Sequence, residues 1–209
     1  MLTKNKLNND NYNDKKNKED ENLSGEDFFN QISSYGVILN RVKLCDIELI
    51  RRWRNDPDIS KDLIYRKYIS SEQQIKWFST ITNKNNFFYT INFLKRCLGI
   101  VYIKDIDYEL SHGTFGLITI SDCAPESLVV LRSTFCLLDF CFNQLILEKI
   151  SMKILARNYK IKHICVRYKL QLVEICNQDE EMIETYTLYR NFYNNDQYCV
   201  DTRDLLRVQ

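Results

Sequence analysis

Histidine is almost missing from this chain of 209 residues, where only His112 and His163 occur. Two histidines cannot build a histidine-rich metal site, and no Cys/His spacing fits zinc, so no metal is expected. No C-x-x-C pair occurs among the eight cysteines, which are scattered at positions 45, 97, 123, 136, 141, 165, 176 and 199. Several of them sit inside apolar runs, where a free cysteine behaves as a small hydrophobe. The N-terminus is polar and lacks the apolar segment of a signal peptide, so reduced thiols in a cytoplasmic protein are expected. No apolar run reaches the ~20 residues of a membrane span. The longest candidate, residues 128–147, is interrupted by Arg132, Ser133, Asp139, Asn143 and Gln144 and reads as a buried helix. Charge of one sign is also lacking: the formal net charge is +1, and no strong field draws the chain toward nucleic acid or an acidic surface. No internal repeat is present.

What remains is an ordinary globular composition, 44% hydrophobic and 27% charged, long enough for one domain and a tail. Residues 1–22 are rich in Asn, Lys and Asp and nearly free of large apolar side chains, so they cannot repay their ordering entropy. Residues 1–35 are expected to form a disordered or loosely docked tail, with Phe28, Phe29, Ile32 and Tyr35 docking as a short helix. Residues 36–195 form the folded domain, and 196–209 a C-terminal tail.

Two tryptophan-bearing segments open that domain after a strand at 37–42. Ile47, Ile50 and Trp53 recur at helical spacing behind Asp46 as N-cap, and Asn55-Asp56-Pro57 stops the helix. Ser71 with Gln74 gives a capping-box pattern ahead of Ile75, Phe78 and Ile81. Trp53 and Trp77 read as core anchors. Strand-like runs follow at 87–93, 98–106 and 113–120. A long helix then runs from Pro125 toward Leu147, followed by a buried strand around 150–154. Ile161, Ile164, Cys165 and Tyr168 make an i, i+3, i+4, i+7 stripe, so a helix follows Asn158. Runs at 170–175 and 185–192 close the series. The order β-α-α-β-β-β-α-β-α-β-β describes an α/β (α+β) domain, a mostly antiparallel sheet flanked by helices.

That order, with Trp53-Arg54-Asn55, Tyr65, Ile69-Ser70, Trp77-Phe78, Gly99 and Gly113-Thr-Phe-Gly116, resembles the GNAT acyl-CoA N-acyltransferases. The spacing is closest to the amino-sugar N-acetyltransferases of pseudaminic acid synthesis. The ribosomal-protein N-terminal acetyltransferases are the related group. The resemblance spans residues 37–193. It implies acetyl-CoA as co-substrate, lying in a splay between the strands at 117–120 and 149–156. Backbone around Leu117, Ile118 and Thr119 would hold the pantetheine arm like an added strand. The pyrophosphate would rest at the start of the following helix, at Ser127 and its neighbours. Asn158 matches the family asparagine near the pantetheine, and is equally placed to cap its helix. On the acceptor side, Arg54, Ile64, Tyr65 and Gln74 match positions facing the substrate. An arginine fork suits a diphosphate or carboxylate, although Arg54 also reads as a solvated helix residue. Gln74 stands where the sugar enzymes often carry histidine. The partner implied is a small-molecule amine, foremost a nucleotide-linked amino sugar, or else a peptide N-terminus. No nucleic acid or membrane is implied, and a homodimer is left open.

Two positions depart from the family. Residues 121–129, Ser-Asp-Cys-Ala-Pro-Glu-Ser-Leu-Val, contain no glycine and two carboxylates where glycines normally bring amides to the phosphates. Arg132 or a lysine elsewhere would have to compensate. The helix tyrosine that protonates the departing thiolate is replaced by Cys165, whose place on the apolar stripe reads as a packed thiol, with Tyr168 as a substitute one turn on. A GNAT-fold binding protein weakened in catalysis is therefore the alternative to an active N-acetyltransferase.

Overall fold

The computed structural model describes residues 29–120 and 126–193. The order is β1 (Gln31–Ser34), β2 (Val37–Arg41), a 3-10 turn (Leu44–Asp46), α1 (Ile47–Asn55), α2 (Pro57–Ser60), α3 (Ser71–Ile81), β3 (Phe87–Phe93), β4 (Arg96–Asp107), β5 (His112–Thr119), α4 (Glu126–Asp139), a π-helical turn (Phe140–Gln144), β6 (Lys149–Leu155), α5 (Tyr159–Arg167), β7 (Gln171–Gln178), β8 (Glu181–Tyr189) and α6 (Arg190–Tyr193). The strands form one sheet in the order β1-β2-β3-β4-β5-β6-β8-β7. Every neighbouring pair is antiparallel except β5 and β6, which α4 joins by a crossover.

Strand alternation sends apolar residues to both faces of the sheet. On one face α1 buries Ile47, Ile50 and Trp53, and with Ile81 of α3 they meet Phe88, Ile100 and Ile118. Trp53 is 7% exposed, and Trp77 packs edge-on against Phe88 with ring centroids 5.3 Å apart. On the other face α4 and the π-helical turn bring Phe135, Leu137, Phe140 and Phe142 onto Phe87, Tyr89, Ile91, Val101 and Ile103. A smaller cluster of Ile154, Cys165 and Tyr186 fixes α5 to β6 and β8.

Several expectations shift. The segment expected to dock as a helix is strand β1, paired with β2 from Gln31↔Asn40 to Ser34↔Val37, so the sheet begins before residue 36. Tyr35 at φ 52° and Gly36 at φ 71° make the tight turn that lets Ile32 enter the core at 5% exposure. The capping box on α3 is one residue earlier than expected. Ser70 is the extended N-cap and accepts from the Gln73 amide at 3.3 Å, while Gln73 Oε1 accepts from the Ser70 amide at 2.8 Å. Asp46 is helical and makes no side-chain cap for α1; its carboxylate accepts from the Lys43 amide at 2.8 Å instead. The long helix after β5 ends as α-helix at Asp139 and widens into the π-helical turn, which keeps Phe140, Cys141 and Phe142 inside. The six cysteines within the described residues are free thiols. No helix among the described residues is long and apolar enough to cross a membrane.

Close approach of β4 to β5 depends on Gly99, because a Cβ there would lie 2.1 Å from the Ile118 carbonyl oxygen. That contact is with backbone and has little room to relax. Gly99→Ala is therefore expected to destabilise the domain by about 2 kcal/mol or more, as overpacking does. Urea unfolding of the two proteins measures this.

Candidate active site

The sheet is split from within. β5 and β6 pair only at His112↔Lys149, Gly113↔Ile150 and Thr114↔Ser151. Beyond Thr114, β5 stays paired with β4 as far as Gly99↔Thr119, and β6 stays paired with β8 as far as Leu155↔Ile183. The two strands therefore part as a V whose arms are each held by an outer neighbour. The closed end is clamped through side chains: His112 Nε2 lies 2.9 Å from Ser151 Oγ, which lies 2.8 Å from Thr187 Oγ1.

Antiparallel pairing decides which backbone groups face the gap. The Ile120 amide donates to the Leu98 carbonyl at 2.9 Å, so even-numbered residues of β5 bond toward β4 and odd-numbered ones face β6. The Ser111 carbonyl, which accepts from the Glu148 amide at 2.8 Å, agrees with this alternation. Leu117 and Thr119 thus turn their N–H and C=O groups, and Phe115 its C=O, into the V, where β6 gives them no ladder partner beyond the Thr114↔Ser151 pair. Ile118, expected to share that role, bonds back toward Ile100 and buries its side chain against α1 and α3.

A crossover helix runs antiparallel to its strands, so α4 begins at the open end of the V. Ser127 lies in its first turn. Residues 121–125, including Asp122 and Pro125, lie outside the described residues, as do the side chains of Glu126 and Ser127. The Arg132 guanidinium reaches the β1–β2 turn, with Nη1 3.7 Å from the Cβ position of Gly36. Asn158 follows β6, and its side chain accepts from the Ile161 amide at 3.2 Å as the N-cap of α5.

A strap, residues 61–69 between α2 and α3, roofs one side of the opening. Asn55 pins its end like a short strand partner, donating to the Ile69 carbonyl and accepting from the Ile69 amide, both at 2.9 Å. Arg51 adds a bond to the same carbonyl at 3.1 Å. The strap then crosses to the other arm, where Arg66 meets Glu181 at 2.8 Å and Arg157 donates to the Lys61 carbonyl at 2.7 Å. Ile64 is half-buried in this strap and Tyr65 is 49% exposed.

Arg54 of α1 points beneath it. Its guanidinium carbon lies 5.7 Å from the centroid of the Tyr65 ring, and its buried Nε has no hydrogen-bond partner. Burial pushes its pKa down, opposed by the neighbouring phenols of Tyr102 and Tyr65. Gln74 of α3 is 2% exposed, and its Nε2 also lacks a partner. Buried donors left unpaired are costly, which makes these two the candidate polar contacts on this face.

The α5 candidates lie on the opposite face. Cys165 is completely buried beside Ile154 and Tyr186, and burial pushes its thiol up to about 12. Its environment is that of a packed thiol. Tyr168 caps the C-terminus of α5 and packs edge-on against Phe135 at 5.3 Å. Nearby, buried Glu184 is satisfied by Lys162 Nζ at 2.7 Å and the Tyr186 hydroxyl at 2.9 Å.

Sequence reasoning passed over Tyr102. It pairs with Gly116 across β4–β5 and stacks on Phe88 at 4.5 Å. A Cβ on Gly116 would lie 2.2 Å from the Tyr102 hydroxyl oxygen, so the phenol fills the space that glycine leaves on β5. The available signal was an in-strand glycine, which marks a close approach by another group.

A parallel strand pair that splays inside an otherwise antiparallel sheet, with helices starting at its open end, is the GNAT acetyltransferase fold. Solved structures with this fold agree. Spermidine N-acetyltransferase from Vibrio cholerae, in complex with CoA and spermine, superposes with a TM-score of 0.65 at 16% identity, covering 75% of this chain and 97% of that one. A GNAT-family acetyltransferase from Chromobacterium violaceum gives 0.66 at 14%, covering 79% and 94%. At such identities the likeness establishes the fold. No family model and no curated protein matches the sequence.

Two outcomes test this geometry. Burial, and then Lys149, hold the pKa of His112 below its usual value. The unfolded chain therefore binds the proton more readily, so stability is constant above pH ~6.5 and falls as pH drops below it. Urea midpoints at pH 7.5 and 5.5 should differ in the wild type, and the difference should shrink in His112→Asn. Asn55→Ala should cost about 2 kcal/mol, because it leaves both Ile69 backbone groups without that partner. It should also speed amide exchange at Ile69, read by hydrogen-exchange mass spectrometry.

Proposed function

We propose that this protein is an N-acetyltransferase that moves the acetyl group of acetyl-CoA to a primary amine. The observation that carries the reading is the unpaired inner edge of β5, where Leu117 and Thr119 offer amides and carbonyls in strand geometry. The pantetheine arm of CoA contains amide groups and can take the place of the missing strand there. The first turn of α4, including Ser127, offers its N-terminal amides to the pyrophosphate. Asn158 lies beside the other arm. An odd-numbered amide on β5 would polarise the thioester carbonyl. The amine attacks directly, so a nucleophilic side chain is not required. Cys165 and Tyr168 were the first candidates for proton donation on the helix, but their burial and packing weigh against that role.

The acceptor, we infer, carries an anionic group, and a nucleotide-linked amino sugar is the class that fits best. Arg54 holds a buried positive charge beside phenols and is joined to no carboxylate by an ion pair among the described residues. Such a charge is costly until an anion pairs with it. Two carboxylates beside the strap are already engaged, Glu48 by Arg51 and Arg52 and Glu181 by Arg66 and Arg157. A polyamine, the ligand of the Vibrio cholerae enzyme, would meet Arg54 as a like charge. Tyr65, Ile64 and Gln74 complete the acceptor wall, with Gln74 Nε2 as a donor.

Purified protein incubated with radiolabelled acetyl-CoA and a panel of nucleotide amino sugars, polyamines and peptides should label the sugars preferentially. Transfer to none of them would refute the enzyme reading. CoA at 100 times its dissociation constant should raise stability by about 2.7 kcal/mol. The absence of any thermal shift at millimolar CoA would favour a GNAT-fold binding protein instead. Arg54→Gln should raise KM for an anionic acceptor by roughly 10- to 100-fold, in line with the loss of a charge-assisted contact, and leave KM for an uncharged amine unchanged.

A further inference from the structure

On the roofed face of the sheet Arg54 Nε and Gln74 Nε2 are buried without a hydrogen-bond partner, and the Tyr102 hydroxyl has the Arg54 guanidinium as its charged neighbour. The hydroxyl is placed by the fold with little freedom. Tyr102 is held between Phe88, stacked on one side, and Gly116, whose missing Cβ leaves room for the phenol. Gly116 lies just past Thr114, the last β5 residue paired with β6, so the hydroxyl stands over the apex of the V. Anything extending along β5 from the start of α4 toward the apex passes Thr119 and Leu117 and ends beneath it. That path, from Thr119 to Phe115, is about 13 Å at the ~3.3 Å rise of a strand.

Resting on the acetyltransferase reading, we propose that Tyr102 is a catalytic residue whose hydroxyl relays the proton of the attacking amine to the departing thiolate. The neutral amine nitrogen bonds to the thioester carbonyl carbon and becomes positively charged. As the carbon–sulfur bond breaks, the sulfur takes the Tyr102 proton, and the phenolate oxygen takes the proton from nitrogen. The products are an amide and a thiol, with Tyr102 restored and no other reactant consumed. Burial holds the phenol in its protonated form at neutral pH, ready to donate, and the adjacent Arg54 guanidinium opposes that shift and steadies the transient phenolate. The relay fills the role left open on α5, where Cys165 is packed away from solvent and Tyr168 lies against Phe135.

Tyr102→Phe keeps the ring and removes only the hydroxyl. It should lower kcat ~100-fold, within the span usual for a positioned proton donor, with KM for acetyl-CoA changed less than about twofold. The CoA-induced thermal shift should persist, which reports that the variant folds and binds. Incorporating 3,5-difluorotyrosine at position 102, which acidifies the phenol without altering the packing, should move the alkaline limb of the kcat–pH profile to lower pH. A purely structural tyrosine would leave that limb in place. An active wild type whose Phe variant keeps full kcat, or whose difluorotyrosine form keeps its pH profile, overturns the relay. A wild type that acetylates no amine overturns the acetyltransferase reading, and the relay falls with it.

Discussion

Everything around the candidate site depends on where the β5–β6 ladder stops. Parallel strands joined by a crossover helix ordinarily pair along their length, because each unpaired amide and carbonyl buried in a sheet is costly. Here three pairs form, locked by the His112–Ser151–Thr187 chain, and then the strands diverge. Each arm remains a stable strand because its outer neighbour continues to pair with it. The cost falls on the inner edge of β5, where the backbone groups of Leu117 and Thr119 have no ladder partner in β6. The outer pairings thus hold open an edge that would otherwise close or aggregate.

The roof converts that opening into a site with two distinct sides. The strap pinned by Asn55 at Ile69 and by Arg157 and Arg66 at the far arm bridges the V on the α1–α3 face only. Beneath it lie a buried guanidinium, a buried amide and a phenol, all oriented by apolar packing from Trp53, Phe88 and Ile118. The opposite face is filled by the α4 and α5 clusters, with Cys165 and Tyr168 as packing groups. The inner edge of β5 and the side chains beneath the strap thus meet at Gly116 and Tyr102.

Much of this was legible in the chain. Helical spacing at Ile47, Ile50 and Trp53, the stop at Asn55-Asp56-Pro57, and period-two runs in the strands gave helix, helix, then sheet, because local sterics and burial set those periods. Less legible were features requiring a partner distant in sequence. Gln31–Ser34 reads as a docking segment until Val37–Asn40 is seen to pair with it. The choice between Ser70 and Ser71 as cap depends on which residue is extended, and only packing shows that α3 buries Gln74 and leaves Ile75, expected on its apolar face, exposed. Asn55 reads only as a helix stop, since its pairing with Ile69 spans a loop.

The sequence by itself determined the main order of helices and strands, the inward-facing stripe of α1 and the burial of Cys136, Cys141 and Cys165 within apolar runs. These follow from nearest-neighbour geometry along the chain. Only the tertiary structure decided that Leu117 and Thr119 face the gap while Ile118 does not, since that alternation is set by pairing with β4. It alone placed Tyr102 over the apex, because the phenol's position depends on a glycine fourteen residues along the chain in the next strand. It likewise fixed what Cys165 packs against, because the helix that carries it is oriented by contacts with Ile154 and Tyr186. Which side of a strand or helix reaches a ligand is a property of its neighbours, and those are chosen by the fold.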